Sequence, residues 1–156
     1  IWAETVGKFQ SDAMLYAEEE WANGIVNTVD ARGMSDGTLR FLAILTAMQI
    51  LPPTSLLVIE DLDNGLHPSR TGLLLDMLKE VGKEREIDVI ATTHNPALLD
   101  AAGPRMIPFI SVAYRNKGNG CSQLIQLEDI HQLPKLMAGG TLGRITTEGR
   151  IEISLP

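Results

Sequence analysis

Two acids stand side by side at Glu60-Asp61, directly after the apolar run Leu56-Leu57-Val58-Ile59. Such a run reads as a strand buried on both faces, with its chemistry gathered at the C-terminal end. Successive side chains on a strand point to opposite faces, so the two carboxylates are expected to divide their work. One would hold a hydrated Mg²⁺, which takes few protein oxygens and keeps its waters, and the other would orient or deprotonate an attacking water. A solvated acidic turn that includes Asp63 explains the same spacing. His94 closes a second apolar run, Ile87 to Thr93, and from there can donate to a phosphate oxygen on which charge develops. The plainer reading of Thr93-His94-Asn95 is a turn and a helix cap. Met34-Ser35-Asp36-Gly37-Thr38-Leu39-Arg40 puts a hydroxyl, a glycine and free backbone N–H groups at a helix start, which suits an anion as well as a simple cap. His67, in Gly65-Leu66-His67-Pro68, reads as a turn residue, because no other histidine lies at metal-ligand spacing.

The elements that must position these residues follow from periodicity and punctuation. Val6 to about Asn23 reads as a polar, partly amphipathic helix ending at Asn23-Gly24, with Ile25 to Val29 extended after it. Ser35 is placed to cap a largely buried helix that runs to Pro52-Pro53. After the strand at 56–59 and a turn at Asn64-Gly65, Pro68 opens a helix reaching about Lys83, apolar at Leu73, Leu74, Met77, Leu78 and Val81. Ile87 to Thr93 is the next strand, and Asn95 caps a short helix starting at Pro96. Strand, helix, strand at this spacing predicts a parallel pair whose polar ends emerge at one sheet edge, where ligands bind in open α/β sheets. Further on, Met106 to Val112 and Ser122 to Leu127 read as strands around a turn at Asn116 to Gly120. A small helix follows near Leu133 to Met137, and Gly139-Gly140 and Gly143 then loosen the chain.

Composition fits one soluble α/β domain: of 156 residues, 44% are hydrophobic and 21% charged, while only 4% are aromatic, so the core is aliphatic. A net charge of −7 argues against a general phosphate-backbone binder, whose footprint is basic. The single Cys121 forms no internal disulfide, which favours a cytoplasmic setting with no membrane, and no apolar run is long enough for a span. The start, Ile1-Trp2-Ala3-Glu4, suggests a piece of a longer protein.

The order of three segments resembles the C-terminal portion of ABC-type ATPase heads, especially the bacterial predicted ATPases grouped with the overcoming-lysogenization-defect, RecF and SMC-like proteins. Residues 34–40 are similar to the signature segment, 56–68 (LLVIEDLDNGLHP) to Walker B and the D-loop, and Ala91-Thr92-Thr93-His94-Asn95-Pro96 to the switch loop. The resemblance implies a partial P-loop NTPase fold of ABC type, with a parallel sheet and flanking helices. It also implies ATP as substrate and Mg²⁺ as cofactor. Glu60 would be the magnesium-supporting acid, Asp61 the general base, Asn64, Gly65, Leu66 and His67 the D-loop, and His94 the contact to the γ-phosphate. Ser35, Asp36 and Gly37 would reach the nucleotide of a partner subunit, so a head-to-head homodimer is implied. In the similar proteins the gated activity concerns DNA, in repair or phage defence, with a nuclease partner in some.

Two departures bear on that expectation. The family usually reads Asp-Glu or Glu-Glu where this chain has Glu60-Asp61, which shortens the presumed base by one methylene. A displacement of about 1 Å can cost on the order of 100-fold in rate, so slow hydrolysis, or an ATP-dependent clamp that does not hydrolyse, is the rival expectation. A transporter ATPase subunit is a further rival. No GxxxxGK[ST] occurs, since Gly7-Lys8 is followed by Phe9 and Gly82-Lys83 by Glu84. The chain alone is therefore expected to bind ATP weakly or not at all, and the strands that would cover one side of its sheet to lie outside it, which leaves apolar surface exposed.

Overall fold

The computed structural model describes residues 1–155. The chain opens with an antiparallel meander of β1 (Trp2–Val6), β2 (Asp12–Trp21) and β3 (Ile25–Asp30). This corrects the expected helix over 6–23. The decisive signal is Asn23-Gly24, where both residues take positive φ, 86° and 71°, and turn the chain so that Trp21 pairs with Ile25. Asn-Gly is a hairpin signal as much as a helix stop, and here the hairpin wins. Trp2 and Tyr16 face each other in register and stack at 5.6 Å. No residue of the meander is fully buried, so cross-strand pairs and ladder bonds hold it rather than a core.

Helix α1 (Asp36–Ile50) begins as expected, with the Ser35 side chain accepting from the Thr38 N–H. It is less buried than its apolar composition suggests. Only Gly37, Ile44 and Met48 are fully covered, and Ile50 is exposed. β4 (Leu56–Ile59) and β5 (Asp88–Ala91) form the parallel pair in the register Leu56↔Asp88 to Ile59↔Ala91. Between them a 3-10 turn at Pro68–Arg70 leads into α2 (Thr71–Arg85). Ile59 and Leu57 face Ile44 and Met48 of α1, Leu74 and Leu78 of α2, and Leu98 of α3 (Pro96–Ala102) in the first core.

The opposite face of the pair is open. Leu56, Val58 and Ile90 are 55%, 66% and 56% exposed, so the strands are buried on one face and not on both. The exposed apolar surface expected from the sequence is found on this face.

Past α3 the chain builds a second core. A 3-10 segment, Pro104–Phe109, replaces most of the strand expected from Met106, and the strand proper is β6 (Ser111–Arg115), paired antiparallel with β7 (Ser122–Gln126). Pro104 and Pro108, neither of which can donate to a ladder, account for the late start. α4 (Leu133–Met137) lies where expected, but the glycines beyond it do not loosen the chain, because α5 (Leu142–Thr147) and α6 (Arg150–Ile153) follow. Gly143 is there for close packing, since a Cβ on it would run into the Pro96 carbonyl oxygen at the start of α3. Leu127, Ile130, Leu136 and Ile145 fill this core, and Leu99 packs against it from the helix that sends Leu98 into the first. α3 is thus a wall shared by both cores. Among the described residues, no helix is long and apolar enough to cross a membrane.

Candidate functional site

The ends of β4 and β5 lie together, as the parallel pairing requires, and the chain leaves both strands in turns locked to each other. Thr92 N–H donates to the Ile59 carbonyl (3.0 Å), and Leu62 N–H returns to the Thr92 carbonyl (2.9 Å). The Thr92 hydroxyl accepts from the Asp61 N–H at 2.9 Å. Strand geometry ends at Ile59, and Asp61 takes φ 47°, so Glu60 and Asp61 diverge through a left-handed turn and not through the alternation of a strand. The expected division between two acids survives on different grounds. Asp61 Oδ1 comes to 3.6 Å from His94 Nδ1, while among the described residues the Glu60 carboxylate engages no ion pair and stays exposed. His94 itself is 90% exposed at the side chain.

Beneath this pair lies an anchor that sequence reasoning placed only in an acidic turn. The Asp63 carboxylate accepts from Thr93 Oγ1 and Asn95 Nδ2, each at 2.6 Å, and so ties the turn after β4 to the turn after β5. Burial alone would raise the Asp63 pKa. The bonds from Thr93 and Asn95, with backbone donation and nearby His94, outweigh it and hold the carboxyl below its usual range. Asn95 serves twice, since its Oδ1 also caps α3 by accepting from the Ala97 N–H (2.9 Å). The turn and capping role weighed for residues 93–95 is therefore real, and it presents His94 outward.

Ser35, Asp36 and Gly37 sit at the start of α1 beside the turn at 64–67. Gly37 is buried, packed so closely against the 64–67 turn that a Cβ there would collide with the Gly65 carbonyl oxygen. Ser35 is exposed, though its hydroxyl is occupied by the Thr38 N–H (3.1 Å) and Thr38 Oγ1 (2.8 Å). Gly65, at φ 76°, and Leu66 join Ser35, Gly37 and His67 around a cleft of about 430 Å³. His67 acts as a cap, its Nδ1 accepting from the Ser69 N–H at 3.3 Å and bonded to Ser69 Oγ at 2.9 Å. The structure therefore gathers the sequence-predicted residues into two groups: Glu60, Asp61 and His94 at the strand ends, and Ser35 to Gly37 with Asn64 to His67 at the start of α1.

Among the described residues no three acids, histidines or cysteines cluster as a complete metal cage. An exposed carboxylate at a strand end nevertheless suits a Mg²⁺ that takes most of its ligands from water and phosphate, and Glu60 fits that partial role.

The family described as "AAA domain, putative AbiEii toxin, Type IV TA system" matches residues 22–100, just over half of the chain and all of both groups. In structure the chain is similar to a solved chain from work on ATP-driven dimerization and DNA-stimulated activation of SMC ATPases. The TM-score is 0.55 at 18% identity, over 87% of this chain and 80% of that one. That likeness establishes the fold, a mixed α/β arrangement with a parallel sheet and flanking helices. No curated protein sequence matches the chain.

Proposed function

The chain belongs to the family of AAA domains described as putative AbiEii toxins of type IV toxin–antitoxin systems, and from that ATPase-type membership we propose that it supplies the hydrolytic half of an ATP site. The observation that carries the reading is the 3.6 Å approach of His94 to Asp61 across two strand ends, next in sequence to the exposed Glu60. Asp61 orients the attacking water and takes its proton. His94 donates to the γ-phosphate oxygens, on which charge grows as the bond to the leaving ADP breaks. Glu60 would hold, through water, the Mg²⁺ that accompanies the nucleotide, and that ion would supply charge neutralisation at the phosphates.

The backbone donors that cradle the α- and β-phosphates come from outside these residues, because no GxxxxGK[ST] lies within them. Their supporting strand would cover Leu56, Val58 and Ile90. Ser35 and the exposed Asp36 backbone at the start of α1 act on the nucleotide of a second copy, with the 64–67 turn between the two copies. Gly37 supports this by letting Gly65 come close, and not by touching phosphate. Closure of two heads over ATP then gates an activity concerned with DNA, in repair or phage defence.

The test is Mg-ATP binding and turnover by the natural full-length protein. Asp61→Asn should lower kcat by about 100-fold or more and His94→Ala by about 10- to 100-fold, with nucleotide binding retained in both. Unchanged turnover in Asp61→Asn would overturn the assignment. The short side chain of Asp61 favours a second reading, a clamp closed by binding alone. Wild-type protein that binds ATP without turnover, and gains turnover in Asp61→Glu, would identify it.

A further inference from the structure

The structure assigns Arg40 as the residue that positions the paired acids, an inference that rests on the ATPase reading above. Arg40 lies on α1, 20 residues before Glu60, and its Nη2 donates to the backbone carbonyls of both Glu60 and Asp61, the latter at 2.9 Å. These carbonyls flank the Asp61 turn, whose φ of 47° is uncommon for a residue with a Cβ. Fixing two successive carbonyl directions fixes the peptide planes on either side of the Asp61 Cα, and hence where its carboxylate points. Thr92 pins the same turn from the other side through the Asp61 N–H.

The bonding of Arg40 sets it apart from an ordinary stabilising ion pair. Among the described residues no carboxylate pairs with it, and its Nε is buried without a partner. A buried donor left unpaired works against stability. What the arrangement secures is geometry, since the guanidinium is planar and rigid where an ammonium is a point charge. Arg40 touches neither the water nor the phosphate in this scheme, so it is a positioning residue.

Arg40→Lys and Arg40→Met in the natural full-length protein separate geometry from mere folding. Peptides covering 59–63 should exchange amide hydrogen about 10-fold faster in Arg40→Met, while those covering 142–151 stay unchanged. Turnover should fall in kcat by about 10- to 100-fold with the KM for ATP within about threefold, and Arg40→Lys should fall between. Unchanged exchange at 59–63, or faster exchange with full kcat, would overturn the assignment. Faster exchange throughout α1 with loss of thermal stability would make Arg40 a folding residue and overturn it as well. Wild-type protein without turnover would defeat the ATPase reading instead, and the exchange result would still decide whether Arg40 holds the turn.

Discussion

At the scale of single residues, the site depends on which side chains are anchored and which are left free. Asp63 is anchored by two short hydrogen bonds, whereas Glu60 and His94 are presented to solvent. Because the folded pKa of Asp63 lies below the ordinary value of 3.8, its contribution to stability is fully present above that value and is lost as pH falls through the lower folded pKa. Asp63→Asn should therefore lower the Tm at neutral pH, since its amide can accept from only one of Thr93 and Asn95. The gap to wild type should close in melts taken below pH 3.8, and a gap independent of pH would show that the ionised carboxylate is not what ties the two turns. That the acids and His94 stand at adjoining strand ends and that Asn95 caps α3 was legible from residue type and order. The partners Thr93, Asn95 and Arg40 were not, because side chains 20 to 32 residues apart meet only once the strands are paired and α1 is docked.

At the scale of elements, the start of α1 and the 64–67 turn behave as one unit, because Gly37 lets the Gly65 backbone approach. Gly37→Ala should force that turn away and cost about 1–3 kcal/mol by overpacking, seen as a lower Tm in thermal melts. An unchanged Tm would mean that the contact yields freely. Elements with a period and a cap were read correctly from the sequence: Ser35 for α1, Asn95 for α3, and the strand–helix–strand unit between them. Ile25 to Val29 is extended as expected, whereas β2 reads as helix because Glu18-Glu19-Glu20 and the alanines have helical propensity and the exposed strand lacks the alternation that a buried face imposes. The helices at 142–153 were hidden behind glycines that serve close packing and turns, as Gly143 does against Pro96.

At the scale of the whole molecule, two cores share α3, so the turn bearing His94 is braced from behind by the C-terminal helices. Asp100 on that helix accepts from the Gly143 N–H at 2.6 Å and from Thr141 Oγ1 at 3.1 Å. Among the described residues no side-chain hydrogen bond joins Ser35 to the strand-end group, and in the proposed head-to-head arrangement Ser35 serves the nucleotide of a second copy. The most direct test mixes two variants of the natural full-length protein, Ser35→Arg and Asp61→Asn, each expected to be inactive alone. If sites are shared between copies, a mixed dimer regains one intact site, and the equimolar mixture should recover about a quarter of wild-type ATP turnover. Turnover that never exceeds the sum of the two variants, in a mixture shown to exchange subunits, would contradict the shared site.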